Sequence, residues 1–136
     1  HWDTKILATD ISNNVLEIAK RGMYPTEKLA PLPIYWRQMY VKKVDKEYSR
    51  IVDRIRNEVI YRNFNLMEPV FPFKKKFHVI FCRNVMIYFN QATKDELIEK
   101  FYEHLEDGGY LFIGHSESVN RNKSRFKYIC PAVYQK

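Results

Sequence analysis

The stretch Phe77-His78-Val79-Ile80-Phe81-Cys82-Arg83-Asn84 decides the fold class of this chain. It is a short apolar run, rich in aromatic and β-branched residues, that stops abruptly at a polar pair. A strand buried on both faces of a parallel sheet has this form, because helices cover both of its sides. Working outward, three further runs share it. Ile6-Leu7-Ala8-Thr9 stops at Asp10, Val59-Ile60-Tyr61 leads into Asn65-Leu66, and Tyr110-Leu111-Phe112-Ile113 follows Asp107-Gly108-Gly109. Helical periodicity separates these runs. Leu97, Ile98, Phe101, Tyr102 and Leu105 fall on one face of a helix over residues 90–105, which Asp107-Gly108-Gly109 ends. Val15, Leu16, Ile18 and Ala19 form a shorter stripe, capped by Ser12 or Asn13 and ended by Arg21-Gly22. Strands alternating with helices predict an α/β fold with a mostly parallel sheet.

Two segments depart from that alternation. The three prolines of residues 25–33 predict a loop or irregular helix. Over residues 37–54, Met39, Val41 and Val44 precede Asp45-Lys46, and Tyr48, Ile51 and Val52 follow, which predicts a small inserted β hairpin. Residues 126–129 and 132–134 flank Cys130-Pro131 and predict a closing antiparallel hairpin.

With 136 residues the chain is read as one domain spanning 1–136. Hydrophobic content of 46% with 15% aromatics supplies a core and argues against disorder. No apolar run approaches the ~18–20 residues that span a bilayer, so no membrane insertion is expected. His1-Trp2-Asp3-Thr4-Lys5 lacks the basic-then-apolar layout of a signal peptide. Cys82 and Cys130 have no CxxC partner, which predicts buried thiols in a reducing cytoplasm and no metal site. The net charge of +7 favours an acidic partner. The basic residues are scattered, however, and a solvated surface accounts for them equally well.

Ligands of open parallel sheets bind beyond the carboxyl ends of the strands. Asp10, Asn65 and the pair Arg83-Asn84 all follow strand ends, so they are predicted to share that edge. An acidic residue there accepts the hydroxyls of a ribose. Each position also has a plainer reading: Asp10 as a helix cap, Asn65 as a turn residue, Arg83 in a surface ion pair. Tyr88 stands in an apolar run with Met86, Ile87 and Phe89, where its plainer reading is core packing.

Three runs together carry a more specific likeness: Ile6-Leu7-Ala8-Thr9-Asp10-Ile11-Ser12, the stretch from Phe77 through Arg83-Asn84-Val85-Met86-Ile87-Tyr88-Phe89, and Gly108-Gly109-Tyr110-Leu111-Phe112-Ile113-Gly114-His115-Ser116-Glu117-Ser118. In order and spacing the chain resembles, over essentially its whole length, the CheR family of chemotaxis receptor methyltransferases. The resemblance implies a Rossmann-like class I methyltransferase sheet. It also implies methyl transfer from S-adenosyl-L-methionine to glutamate side chains of methyl-accepting chemotaxis receptors in the cytoplasm, with S-adenosyl-L-homocysteine as product. Position by position it implies that Asp10 binds the ribose and that Asn65 and Leu66 flank the adenine. It further implies that Arg83 and Asn84 line the methionine side and that Tyr88, as the catalytic residue, helps place the acceptor carboxylate. His115-Ser116-Glu117 becomes a bordering loop without an assigned role.

The chain departs from the family in two ways. The family has an amino-terminal helical domain, then a first strand and a small-residue-rich loop around the methionine part of the cofactor. This sequence starts after them, and its four glycines form no such loop. The expected sheet is therefore incomplete: two half-sheets, one ending in Asp10 and one in Arg83, with little activity expected of the chain alone. In addition, residues 37–54 hold no glycine and are short for the family's three-strand insertion, which argues against binding of a tethering peptide.

Two other classes compete with a protein-glutamate O-methyltransferase. A docking module that has lost catalysis need not bind the cofactor. A nucleic-acid methyltransferase or binder would interleave basic residues with exposed aromatics on one face. The aromatic segments here instead read as core, so no nucleic-acid partner is expected.

Overall fold

The computed structural model describes residues 4–136. His1, Trp2 and Asp3, which open the stretch read above for a signal peptide, lie outside the described residues. The chain divides into two compact units, His1–Asn65 and Leu66–Lys136.

In the first unit, strand β1 (Ile6–Asp10) leads into helix α1 (Asn13–Arg21). The side chain of Ser12 caps the helix by accepting from the Val15 N–H. Gly22 ends it in the left-handed region (φ 60°), donating to the carbonyls of Ile18 and Ala19. Strand β2 (Met23–Pro25), a 3-10 turn (Thr26–Leu29), helix α2 (Ile34–Tyr40), strands β3 (Val41–Lys43) and β4 (Tyr48–Ile51), helix α3 (Asp53–Arg56) and strand β5 (Val59–Asn63) follow. β1 and β5 pair in parallel, with Ile6 opposite Val59 and Asp10 opposite Asn63. The Arg56 guanidinium donates to the Lys20 carbonyl at 2.6 and 3.0 Å, which ties α3 to the end of α1.

The predicted inserted hairpin is β3–β4, and Asp45 shapes its turn by accepting from the N–H groups of Glu47 and Tyr48. Two features differ from expectation. A third strand, β2, pairs antiparallel to β4, giving the order β2-β4-β3. Its Pro25 sits at the end of an edge strand, where a missing N–H costs the ladder nothing. Residues 37–40, including Met39, are helical, because the Pro33 carbonyl accepts from the Arg37 N–H and opens α2. No residue of α2 is buried, so no core face imposed the strand alternation read from its sequence.

The second unit contains β6 (Phe77–Cys82), a 3-10 turn (Met86–Tyr88), α4 (Gln91–His104), β7 (Leu105–Ile113), β8 (Lys127–Cys130) and β9 (Val133–Gln135). Its sheet runs β6-β7-β9-β8, parallel between β6 and β7 and antiparallel elsewhere. β1, which ends in Asp10, and β6, which Arg83 follows, thus belong to different sheets. Asn90 caps α4 through its side chain, but the helix stops at His104, earlier than predicted. Leu105 already has extended backbone, and Asp107-Gly108-Gly109 lies inside β7, where the register against β6 shifts between Phe77 and Val79. A glycine pair serves a bulge as well as a helix stop, and sequence alone does not separate the two.

Burial is uneven between the units. Met86, Leu97, Leu105, Leu111 and Ile113 are fully buried in the second unit. Among the described residues of the first, Leu16 is the only buried apolar side chain. Among the described residues, no helix is long and apolar enough to cross a membrane.

Candidate functional site

Asp10 closes β1, and its Oδ1 accepts from the Ser12 N–H at 2.8 Å. Ser12, not Asp10, caps α1, so the plainer reading of Asp10 as the cap does not hold. Among the described residues nothing bonds Oδ2, which leaves a half-buried carboxylate with one anchored oxygen and one open one. The Asp10 carbonyl accepts from the Phe64 N–H at 3.1 Å, which brings the chain leading to Asn65 alongside Asp10. Asn63, in register with Asp10, donates from Nδ2 to the Ile11 carbonyl (2.7 Å) and to Asn13 Oδ1 (3.0 Å). It stitches together the turns that follow β1 and β5. Sequence reading passed over Asn63; its signal was a lone amide at the end of a strand parallel to the one bearing Asp10.

In the second unit Arg83 and Asn84 follow β6 and are exposed. Arg83 makes no ion pair among the described residues, so the surface-pair reading does not account for it. Asn84 adopts φ 60°, uncommon for a residue with a side chain. Tyr88 ends the 3-10 turn and is 81% exposed, while Met86 in the same turn is 1% exposed and anchors it. Packing therefore does not explain the Tyr88 ring. Leu66, half-buried, opens this unit.

The open carboxylate oxygen at the end of β1 suits a ribose hydroxyl, which donates; this donor-to-acceptor match is the fit between the chain and an S-adenosylmethionine nucleoside. The exposed guanidinium of Arg83 at the end of β6 suits the carboxylate of an amino-acid moiety.

Of the two thiols, Cys82 is buried as expected and Cys130 is exposed. Cys130 lies on β8, an edge strand with every residue exposed. Burial, and secondly the Glu117 carboxylate, push the Cys82 thiol up to about 12. Its folded pKa is raised, so its contribution to stability is complete below the unfolded value of about 8.5 and is lost as pH rises toward 12. Two outcomes are expected: stability declining above about pH 9, and labelling of native protein by a thiol reagent at Cys130 well before Cys82. Equal labelling rates at neutral pH would refute the buried, protonated Cys82.

The family model described as "CheR methyltransferase, SAM binding domain" matches residues 1–134. A chemotaxis protein methyltransferase of Borreliella burgdorferi is 43% identical over 136 residues, covering 100% of this chain and 48% of that protein. A chemotaxis protein methyltransferase of Escherichia coli is 35% identical over 133 residues, covering 96% of this chain and 46% of that protein. The chain thus spans about half the length of the curated relatives it matches.

Proposed function

Because the chain belongs to the CheR methyltransferase family through its S-adenosylmethionine-binding domain, we propose that it serves a cytoplasmic protein-glutamate O-methyltransferase. The substrates in this reading are glutamate side chains of methyl-accepting chemotaxis receptors. The product is a glutamate methyl ester, with S-adenosylhomocysteine released.

The observation that carries the reading is the Asp10 carboxylate, anchored through Oδ1 with Oδ2 open at the carboxyl end of a parallel strand. Asp10 takes the ribose hydroxyls, and Asn65 with Leu66 borders the adenine. Arg83 and Asn84 hold the methionine side, and the exposed Tyr88 hydroxyl orients the acceptor carboxylate. When bound, the cofactor supplies a methyl group on a sulfonium, a good leaving group because its departure leaves a neutral thioether. A glutamate carboxyl has a pKa near ~4.3, so at neutral pH the acceptor is already ionised and no side chain has to remove a proton. The side chains of the chain contribute in-line placement and exclusion of water.

Asp10→Ala in the complete protein is the test. Loss of a charge-assisted contact of ~1.5–3 kcal/mol should weaken S-adenosylmethionine binding roughly tenfold or more. Calorimetric titration measures it. Unchanged affinity in a folded variant would reduce Asp10 to the residue that shapes the turn to Ser12.

A further inference from the structure

The loop His115-Ser116-Glu117 borders the ends of β6 and β7 and has no part in the reading above. Its Glu117 carboxylate joins those two strand ends. Glu117 Oε2 accepts from the Asn84 N–H at 3.0 Å and from the Gly114 N–H at 2.6 Å. Asn84 lies two residues past the end of β6 and Gly114 directly follows β7, and the two strands are parallel neighbours with Cys82 opposite Ile113. The loop is closed on itself as well, by the Glu117 N–H donating to the Gly114 carbonyl at 3.0 Å. A Cβ at position 114 would come within 2.6 Å of Glu117 Oε2 and 2.7 Å of Asn84 Oδ1, so a side chain there would push the carboxylate out of this position.

The clamp acts on a backbone that needs holding. Asn84 sits at φ 60°, in the left-handed region that residues with a side chain avoid, asparagine less than most. An N–H bonded to a fixed carboxylate is one way to hold it. The clamp has a cost of its own, since Glu117 Oε1 is buried and has no hydrogen-bond partner.

We propose that Glu117 is a positioning residue for the cofactor edge: its carboxylate, spanning the ends of β6 and β7, fixes the left-handed Asn84 and so aims Arg83-Asn84 at the methionine side of S-adenosylmethionine. The proposal rests on the assignment of Arg83-Asn84 to that side. It requires reach and an acceptor oxygen, not charge. Glu117→Gln keeps an oxygen at the same distance. Glu117→Asp keeps the charge but is one methylene too short, and Glu117→Ala keeps neither.

The experiment measures cofactor affinity of the complete protein by calorimetry, with melting temperature and with protection of the Asn84 and Gly114 amides from hydrogen exchange. The Gln variant should bind within about threefold of wild type with both amides protected. The Asp and Ala variants should lose about tenfold or more in affinity, with protection lost at both amides. Should the Ala variant fail to fold, the contrast between Gln and Asp decides alone. Wild-type affinity in a folded Asp variant, or a Gln variant as weak as Asp, overturns the proposal. Failure of the wild-type protein to bind the cofactor would instead overturn the functional reading, while the amide protection still reports the clamp.

Discussion

Leu111→Ala is expected to lower unfolding stability by about 2–5 kcal/mol, the cost of deleting a buried leucine and leaving a partial cavity. Leu111 is 0% exposed and lies on β7, the strand flanked by β6 on one side and β9 on the other. It stands in register with Ile80 and with Tyr134. Truncating it therefore removes contacts within a sheet whose neighbours on both sides are already paired, which leaves little freedom to collapse into the gap. Val70→Ala is the matched control: at 79% exposure it should change stability by less than about 0.5 kcal/mol. Urea unfolding compares the two midpoints. A Leu111→Ala midpoint no lower than that of Val70→Ala would show that β7 is not the centre of the packed unit.

The same strand shows how far sequence carried the fold. Apolar runs that end at polar residues placed β1, β5, β6 and most of β7, but the expected burial on both faces does not hold: of β1, β5 and β6 only Cys82 is buried. The caps of α1 and α4 were equally legible, since Ser12, Gly22 and Asn90 each answer an unsatisfied backbone group. What stayed hidden depends on neighbours distant in the chain. The third strand of the insertion forms only because Met23–Pro25 meets Tyr48–Ile51, and α2 buries no residue that would mark its period. Leu105 looked like the last core position of a helix, and its apolarity is the same whether the backbone there is helical or extended.

The site divides along similar lines. Asp10, Asn65 and Arg83-Asn84 entered the candidate site because each follows an apolar, strand-like run. Asn63 and Glu117 act through bonds to residues far away in sequence, Ile11 and Asn13 for one and Asn84 for the other, which no local pattern encodes. Cys130 was expected inside on the apolarity of its neighbours, but it lies on the edge strand β8, whose four residues are all exposed.

Tyr88 is where packing and chemistry make opposite forecasts. For a buried ring, Tyr88→Phe retains the apolar volume and changes little. The ring is 81% exposed, so its apolar body contributes little to the core, and the hydroxyl is what the substitution alters. The 3-10 turn that carries it is held from beneath by Met86, so the variant should fold and melt as wild type does. If the hydroxyl orients the acceptor carboxylate, its loss should slow methyl transfer to receptor fragments by roughly fivefold to a hundredfold. That range corresponds to ~1–3 kcal/mol for one hydrogen bond that matters in the transition state. Cofactor affinity should hold, because in this reading the hydroxyl faces the acceptor and the ribose and methionine contacts belong to Asp10 and to Arg83-Asn84. The decisive comparison is turnover at saturating cofactor beside calorimetric affinity and melting temperature, all in the complete protein. Parallel losses of turnover and affinity would move Tyr88 into the cofactor's own contacts, and wild-type turnover would leave its exposed hydroxyl without a part in the reaction.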